Sequence, residues 1–206
     1  MTVFRTVDAV AYYLRDLPFT PSRRFIGVTG APGAGKSTVA ESLVAQLADA
    51  ALLPMDGFHL PQARLRELGR RERMGAPDTF DVDAFLRTLA YLTISGGPVF
   101  APGFDRTLEE PVPDAIVIQP ERATVIVEGN YLLHDAGGWE QVGPLLDVVF
   151  LVEVPDGIRQ SRLIDRHIRF GKTPEAARAW ALGPDEQNAR LIAATAPRAD
   201  HVIRLD

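Results

Sequence analysis

Cysteine is absent from the 206 residues. That removes disulfides, thiolate catalysis and thiolate-ligated zinc together. No apolar run approaches the roughly 20 residues of a membrane-spanning helix, so no membrane partner is expected. Residues 1–18 mix polar and apolar side chains and lack the apolar stretch of a secretory leader, and the expected location is cytoplasmic. An excess of positive charge is lacking too: 22 Lys and Arg stand against 27 Asp and Glu, a net charge of −5 at pH 7. No broad basic field therefore draws the chain to nucleic acid. The four histidines show no metal-ligand spacing. Internal repeats and low-complexity tracts are missing. What remains is an apolar content of 46%, ample for the core of one domain of this length.

The most specific local signal is Gly30-Ala31-Pro32-Gly33-Ala34-Gly35-Lys36-Ser37. It matches G-x-x-x-x-G-K-[ST], a phosphate-binding loop. Its flanks agree: residues 24–29 read as a short buried strand, and 38–47 carry Val39, Leu43, Val44 and Leu47 at the spacing of a helix face. Glycines let the backbone curl so that successive N–H groups face phosphate oxygens. A helix N-terminus adds partial positive charge. The loop from Gly30 to Ser37, with the following Thr38, is expected to bind ATP. Lys36 would reach the β and γ phosphates and the Ser37 hydroxyl would ligate Mg²⁺.

Along the rest of the chain, residues 2–17 read as an amphipathic helix and 51–55 as a strand ending at Asp56. Residues 60–73 and 82–93 read as helices, the second stopped by Ser95-Gly96-Gly97-Pro98. The proline- and glycine-rich stretch 99–114 reads as an excursion that could form a hairpin with 115–119. Strands follow at 123–127, closing on Glu128, and at 147–154. Helices are expected over 156–170, 174–182 and 185–195, and a last strand over 201–205. Apolar strands alternating with helices imply an α/β fold with a mainly parallel sheet covered on both faces. Ligands in such sheets bind at the carboxyl ends of strands, where the loop, Asp56 and Glu128 all fall.

Asp56, just past a strand end near a phosphate loop, suits a general base for an acceptor hydroxyl, although turn and N-cap roles are common for loop aspartates. Glu128 closes an apolar strand and would orient Mg²⁺ or its waters; pairing with a surface cation is the plain alternative. Arg159, Arg162, Arg166 and Arg169 are spaced 3, 4 and 3 and share one helix face. A triphosphate opposite that face would give Arg162 and Arg166 a transition-state role; a solvated basic face is the alternative. Asp81 reads as a helix N-cap, His201 as structural, and His59, three residues past Asp56, as facing the acceptor.

In this order the pieces resemble one family, the P-loop kinases that include uridine kinase, bacterial type I pantothenate kinase and phosphoribulokinase. The resemblance spans residues 22–206. It rests on Gly30 to Ser37, Asp56-Gly57-Phe58, Gly75-Ala76-Pro77-Asp78-Thr79-Phe80-Asp81, Val127-Glu128-Gly129, the Arg162/Arg166 helix and Arg198-Ala199-Asp200-His201-Val202-Ile203. It implies a three-layer P-loop fold with a five-stranded parallel core and a helical lid over ATP at about 156–182. Asp56 would be the catalytic base, and the γ-phosphoryl group would pass to a small-molecule hydroxyl. Uridine kinases carry a ribose-gripping acid where this chain has Gly75. Pantothenate kinase has a substrate-binding His where this chain has Arg106. The chain looks most like short bacterial proteins labelled nucleoside kinase-like or fructose-transport-system kinases. Asp105 and Arg106 are therefore the candidates for acceptor recognition, with Asn188 at a position where pantothenate kinase has a substrate-contacting Asn. A sugar or hydroxy acid is the favoured acceptor, a nucleoside or pantothenate the alternative, and an ATPase without acceptor the rival class. A guanine-binding Asn-Lys-x-Asp motif is absent. The reading leaves room for a homodimer.

Overall fold

The computed structural model describes residues 1–18 and 22–205. In chain order the elements are β1 (Thr2–Phe4), α1 (Val7–Asp16), β2 (Arg24–Thr29), α2 (Lys36–Gln46), β3 (Ala50–Pro54), α3 (Gln62–Glu67) and α4 (Val82–Ile94). They continue with β4 (Val99–Asp105), β5 (Glu110–Ile118), β6 (Thr124–Glu128), β7 (Val148–Glu153), α5 (Asp156–Arg169), α6 (Pro174–Leu182), α7 (Pro184–Thr195) and β8 (His201–Arg204). Six strands form one sheet in the order β1-β8-β7-β2-β6-β3, every pair parallel. β4 and β5 form a separate antiparallel pair.

The sheet is covered on both faces because its strands are apolar on both. Ile26, Val28, Ile126 and Phe150 pack under Val10 and Leu14 of α1 and Val39 and Leu43 of α2. Phe25, Leu53, Val125 and Val127 pack on the opposite face with Phe85, Leu89 and Leu92 of α4 and with Val99 and Ile118 of the hairpin. All five residues of β6 are buried. Each large aliphatic side chain so buried contributes roughly 1.5–3 kcal/mol relative to exposure.

Three expectations are corrected. Residues 2–17 are not one helix. Thr2–Phe4 extend and pair in register with His201–Ile203, giving a sixth strand on the sheet edge. The helix starts only after Thr6, whose hydroxyl accepts the Ala9 N–H. Residues 60–73 hold only the six-residue α3. Gly69, at φ +63°, ends that run, and Arg71–Arg73 form a 3-10 turn. The excursion after residue 98 folds on itself rather than on 115–119 alone, pairing Val99 with Ile118 and Asp105 with Glu110 around a bulge between Ala101 and Gly103. Pro102, Pro111 and Pro113 are accommodated because both strands of this pair are edges. Asp81 caps α4 as expected, accepting the Ala84 N–H. His201 is structural, held between the Thr2 N–H and the Tyr13 hydroxyl.

Candidate active site

Strand order reverses about β2, and three strand ends meet at its carboxyl edge. β2 runs into the glycine loop, β3 into a 3-10 turn holding Asp56, and β6 ends on Glu128. Gly33 has φ +79°, and a Cβ there would lie 2.5 Å from the Arg159 carbonyl oxygen. Only glycine permits both the turn and the contact. α2 starts at Lys36 behind the left-handed Gly35, and no side chain caps it. Its first N–H groups are thus left for an anion.

Lys36 is buried at 7% exposure, and its Nζ donates to the Ala31 carbonyl at 3.2 Å. Burial lowers its pKa, while Glu128 and Asp56 pull the other way. Glu128 is equally buried. Desolvation pushes its carboxyl up to about 7, although Lys36 and the Ser37 hydroxyl, which hydrogen-bonds to it, hold it down. Among the described residues no group of three or more His, Asp or Glu gathers into a metal cage. One hydroxyl and one acid fit Mg²⁺ that keeps its waters and takes phosphate oxygens for the remaining positions.

Asp56 faces the same cleft. Burial opposes its charge, but Arg106, His59, Lys36 and Arg166 outweigh that and hold its pKa below the ordinary carboxylate range. Arg106 Nη2 donates to Asp56 Oδ2 at 2.7 Å. His59 Nδ1 lies 2.8 Å from the Asp56 backbone oxygen, and its ring stacks on Phe80 and Phe104 at 3.9 and 4.7 Å. Burial lowers the His59 pKa. The cleft measures about 150 Å³.

Pro32, Gly33, Lys36, Ser37, Asp56, His59, Arg106, Glu128, Arg166 and Asn188 all line this cleft. The arginine stripe divides. Arg166 lies in the cleft, where burial works against its charge. Arg162 is exposed, with Nη1 3.6 Å from where a Gly35 Cβ would be. Arg159 is 3% exposed and bonds Asp156 and Glu186, leaving its Nη1 buried without a partner. Arg169 is exposed. Asp105 does not join the cleft: its Oδ1 accepts the N–H groups of Thr107 and Leu108 and so caps the hairpin turn. Asn188 joins it with its amide committed, Nδ2 donating to the Gly75 carbonyl at 3.2 Å beside the Tyr131 hydroxyl at 2.6 Å. Thr38 is exposed in the first turn of α2. Ala31 and Ala34 line a second cavity of about 660 Å³ beyond the loop, larger but holding none of the candidate catalytic side chains.

Sequence reasoning passed over several cleft residues. Asp185, 8% exposed, has Oδ2 at 2.7 Å from His167 Nε2 and accepts its N–H, tying α7 to α5. Arg71 pairs with Glu109 of the hairpin turn. Lys172 sits 4.7 Å from the Trp180 ring centroid. The position of His167 beside Arg166 was the one local signal available; the other pairs join distant segments.

No family model matches the chain. A solved structure from Silicibacter sp. TM1040, named "putative fructose transport system kinase", is 38% identical and superposes at TM-score 0.87 over 96% of this chain and 98% of that one. The Aspergillus versicolor "ATP-dependent kinase-like protein notR'" is 37% identical over 133 residues, 61% of this chain and 77% of that protein. The Schizosaccharomyces pombe "Putative uridine kinase C227.14" is 32% identical over 160 residues, 72% of this chain and 68% of that protein.

Proposed function

The chain belongs to the uridine kinase-like family of ATP-dependent P-loop kinases, and from that premise we propose that it phosphorylates a hydroxyl of a small molecule, a sugar or a hydroxy acid. The observation that carries this reading is the placement of Asp56 at a strand end in the cleft that holds Lys36, Glu128 and Arg166. Kinases of this kind use ATP with Mg²⁺. Ser37 and Glu128 would hold the metal, which when bound neutralises phosphate charge.

The acceptor oxygen attacks the γ phosphorus, its bond to the bridging oxygen of ADP breaks, and the hydroxyl proton goes to Asp56. Lys36 and Arg166 balance the charge on the transferring group. Helices α5 and α6, the 156–182 region, act as a lid of this single domain. Arg166, His167, Phe170, Lys172 and Trp180 bring them to the cleft. Closure would exclude water and move Arg162 over the loop.

A nucleoside acceptor is the second reading, supported by the relative named as a uridine kinase. Gly75 weighs against it, since the resemblance expects a ribose-gripping acid there. The Gly75 carbonyl is already taken by Tyr131 and Asn188. ADP release measured against nucleosides, sugars, pantothenate and glycerate tests the reading. A stimulated rate with one class is the expected result. The same rate with and without every acceptor would leave an ATPase instead.

A further inference from the structure

We infer that Arg106 is an exchangeable counterion: it covers Asp56 until a small hydroxylated anion arrives, and then turns from the aspartate to the anion. The inference rests on the kinase reading and specifies its acceptor. Arg106 stands in the turn between β4 and β5, with Nη2 on Asp56 Oδ2 at 2.7 Å. The turn does not depend on that contact. Asp105 Oδ1 caps Thr107 and Leu108 at 2.8 and 2.9 Å. The Gln62 backbone N–H donates to Glu110 Oε2, its Nε2 donates to the Leu108 carbonyl, and Arg71 pairs with Glu109. These anchors leave Arg106 out, so its side chain can leave Asp56 without unmaking the turn.

Two other polar contacts in the cleft involve no candidate base: Arg71 pairs with Glu109, and His167 hydrogen-bonds Asp185. Arg106 alone among these pairs occupies an oxygen of the candidate base. A carboxylate bound to a guanidinium is a poor proton acceptor, because its charge is already stabilised. The guanidinium has five donors in a planar fork that matches a carboxylate or a phosphate. An acceptor carrying such a group near its hydroxyl can exchange partners with Asp56. A neutral polyol has no charge to offer. The pair is itself partly exposed, the Arg106 side chain at 41% and the Asp56 side chain at 25%, so little stability is lost when it is exchanged. The acceptor class is thus a hydroxy carboxylate or a phosphorylated sugar, which share an anion beside a hydroxyl.

The test is steady-state ADP release from MgATP by the wild-type chain, Arg106→Ala and Asp56→Asn. Hydroxyl-free anions, acetate and methylphosphonate, should raise the slow acceptor-free rate of the wild type several-fold by drawing Arg106 away. Arg106→Ala should hydrolyse ATP about fivefold faster than wild type with no anion present, and should not respond to one. Asp56→Asn should lose both effects. Glycerate should exceed glycerol, or fructose 6-phosphate exceed fructose, by about tenfold or more in kcat/KM, and the preference should vanish in Arg106→Ala. The pair that responds tells carboxylate from phosphate. An Arg106→Ala variant with slower acceptor-free hydrolysis, no anion stimulation of the wild type, or neutral compounds as good as their anionic partners would each overturn the inference. The kinase reading fails separately: in that case the wild type does not bind MgATP, or Lys36→Ala releases ADP as fast as wild type.

Discussion

On the nucleotide side of the cleft, main chain sets the positions: a loop between buried β2 and α2, glycines in contact with neighbouring carbonyls, and an uncapped helix start. On the acceptor side, side chains set them: a two-stranded hairpin, a six-residue helix and a 3-10 turn joined by partly exposed ion pairs. The first wall is fixed by close packing and cannot change without unfolding the core edge. The second is held by contacts that each contribute little when solvated and that can be traded for contacts to a ligand. This division suits a family in which the phosphate donor is constant and the acceptor varies.

The contrast can be tested, largest effect first. Lys36→Ala should lower turnover by about 10⁴-fold, since its charge acts on the transferring phosphates, with circular dichroism and the thermal midpoint close to wild type. Asp56→Asn, on the other wall, should cost about 10²–10⁴-fold in kcat while equilibrium nucleotide affinity stays within a few fold. Wild-type turnover at saturating acceptor would return Asp56 to a turn residue. Arg166→Ala should lower kcat by about 10²-fold and Arg162→Ala by less, as only Arg166 lines the cleft. Arg159→Ala should instead lose about 3–5 kcal/mol of stability, because it leaves Glu186 without its buried partner. Equal kinetic defects in all three would mean that the stripe acts as one unit.

Glu128→Gln separates stability from activity. Burial pushes the folded carboxyl up to about 7, against an ordinary value of 4.5. Between those values the folded chain keeps a proton that the unfolded chain releases. Stability from this group is therefore full below pH 4.5 and lost as pH rises through 7. The glutamine variant should be more stable than wild type by about 1–3 kcal/mol at neutral pH, with little difference at pH 4.5, and its Mg²⁺ dependence should be weakened. Urea titrations at the two pH values would read this, and a constant difference would refute it. The smallest effect belongs to Gly69→Ala beside α3. A Cβ there meets nothing within 4 Å, so the cost is only that of the left-handed backbone, about 1–2 kcal/mol.

What could be read from the chain follows the same division. The phosphate loop, α2, α4, α5 and the buried β6 carry their signals within a dozen residues: glycine spacing, apolar period, a capping Asp81. β1 has no such signal, for it extends only because Thr2 to Phe4 meet a strand some 200 residues later. The charge of Arg106 and its place in the resemblance point to the acceptor, but its bond to Asp56, 50 residues away, leaves no local trace. Asp105 beside it shares that place and has a polar side chain, yet it is spent on the turn. Asn188 came from resemblance alone, and the structure gives its amide to Gly75.

Lys36 on the Ala31 carbonyl and Lys172 over Trp180 are the chain's only two lysines, every other basic side chain apart from histidine being arginine. An amine-directed acylating reagent consequently has, beyond the amino terminus, just two targets, both in the cleft. One is buried in the phosphate loop and one rides on the proposed lid. The arginine-rich surface stays silent. Beyond the one acyl group on the amino terminus, intact-mass counting would thus report on the cleft, without turnover and without knowing the acceptor.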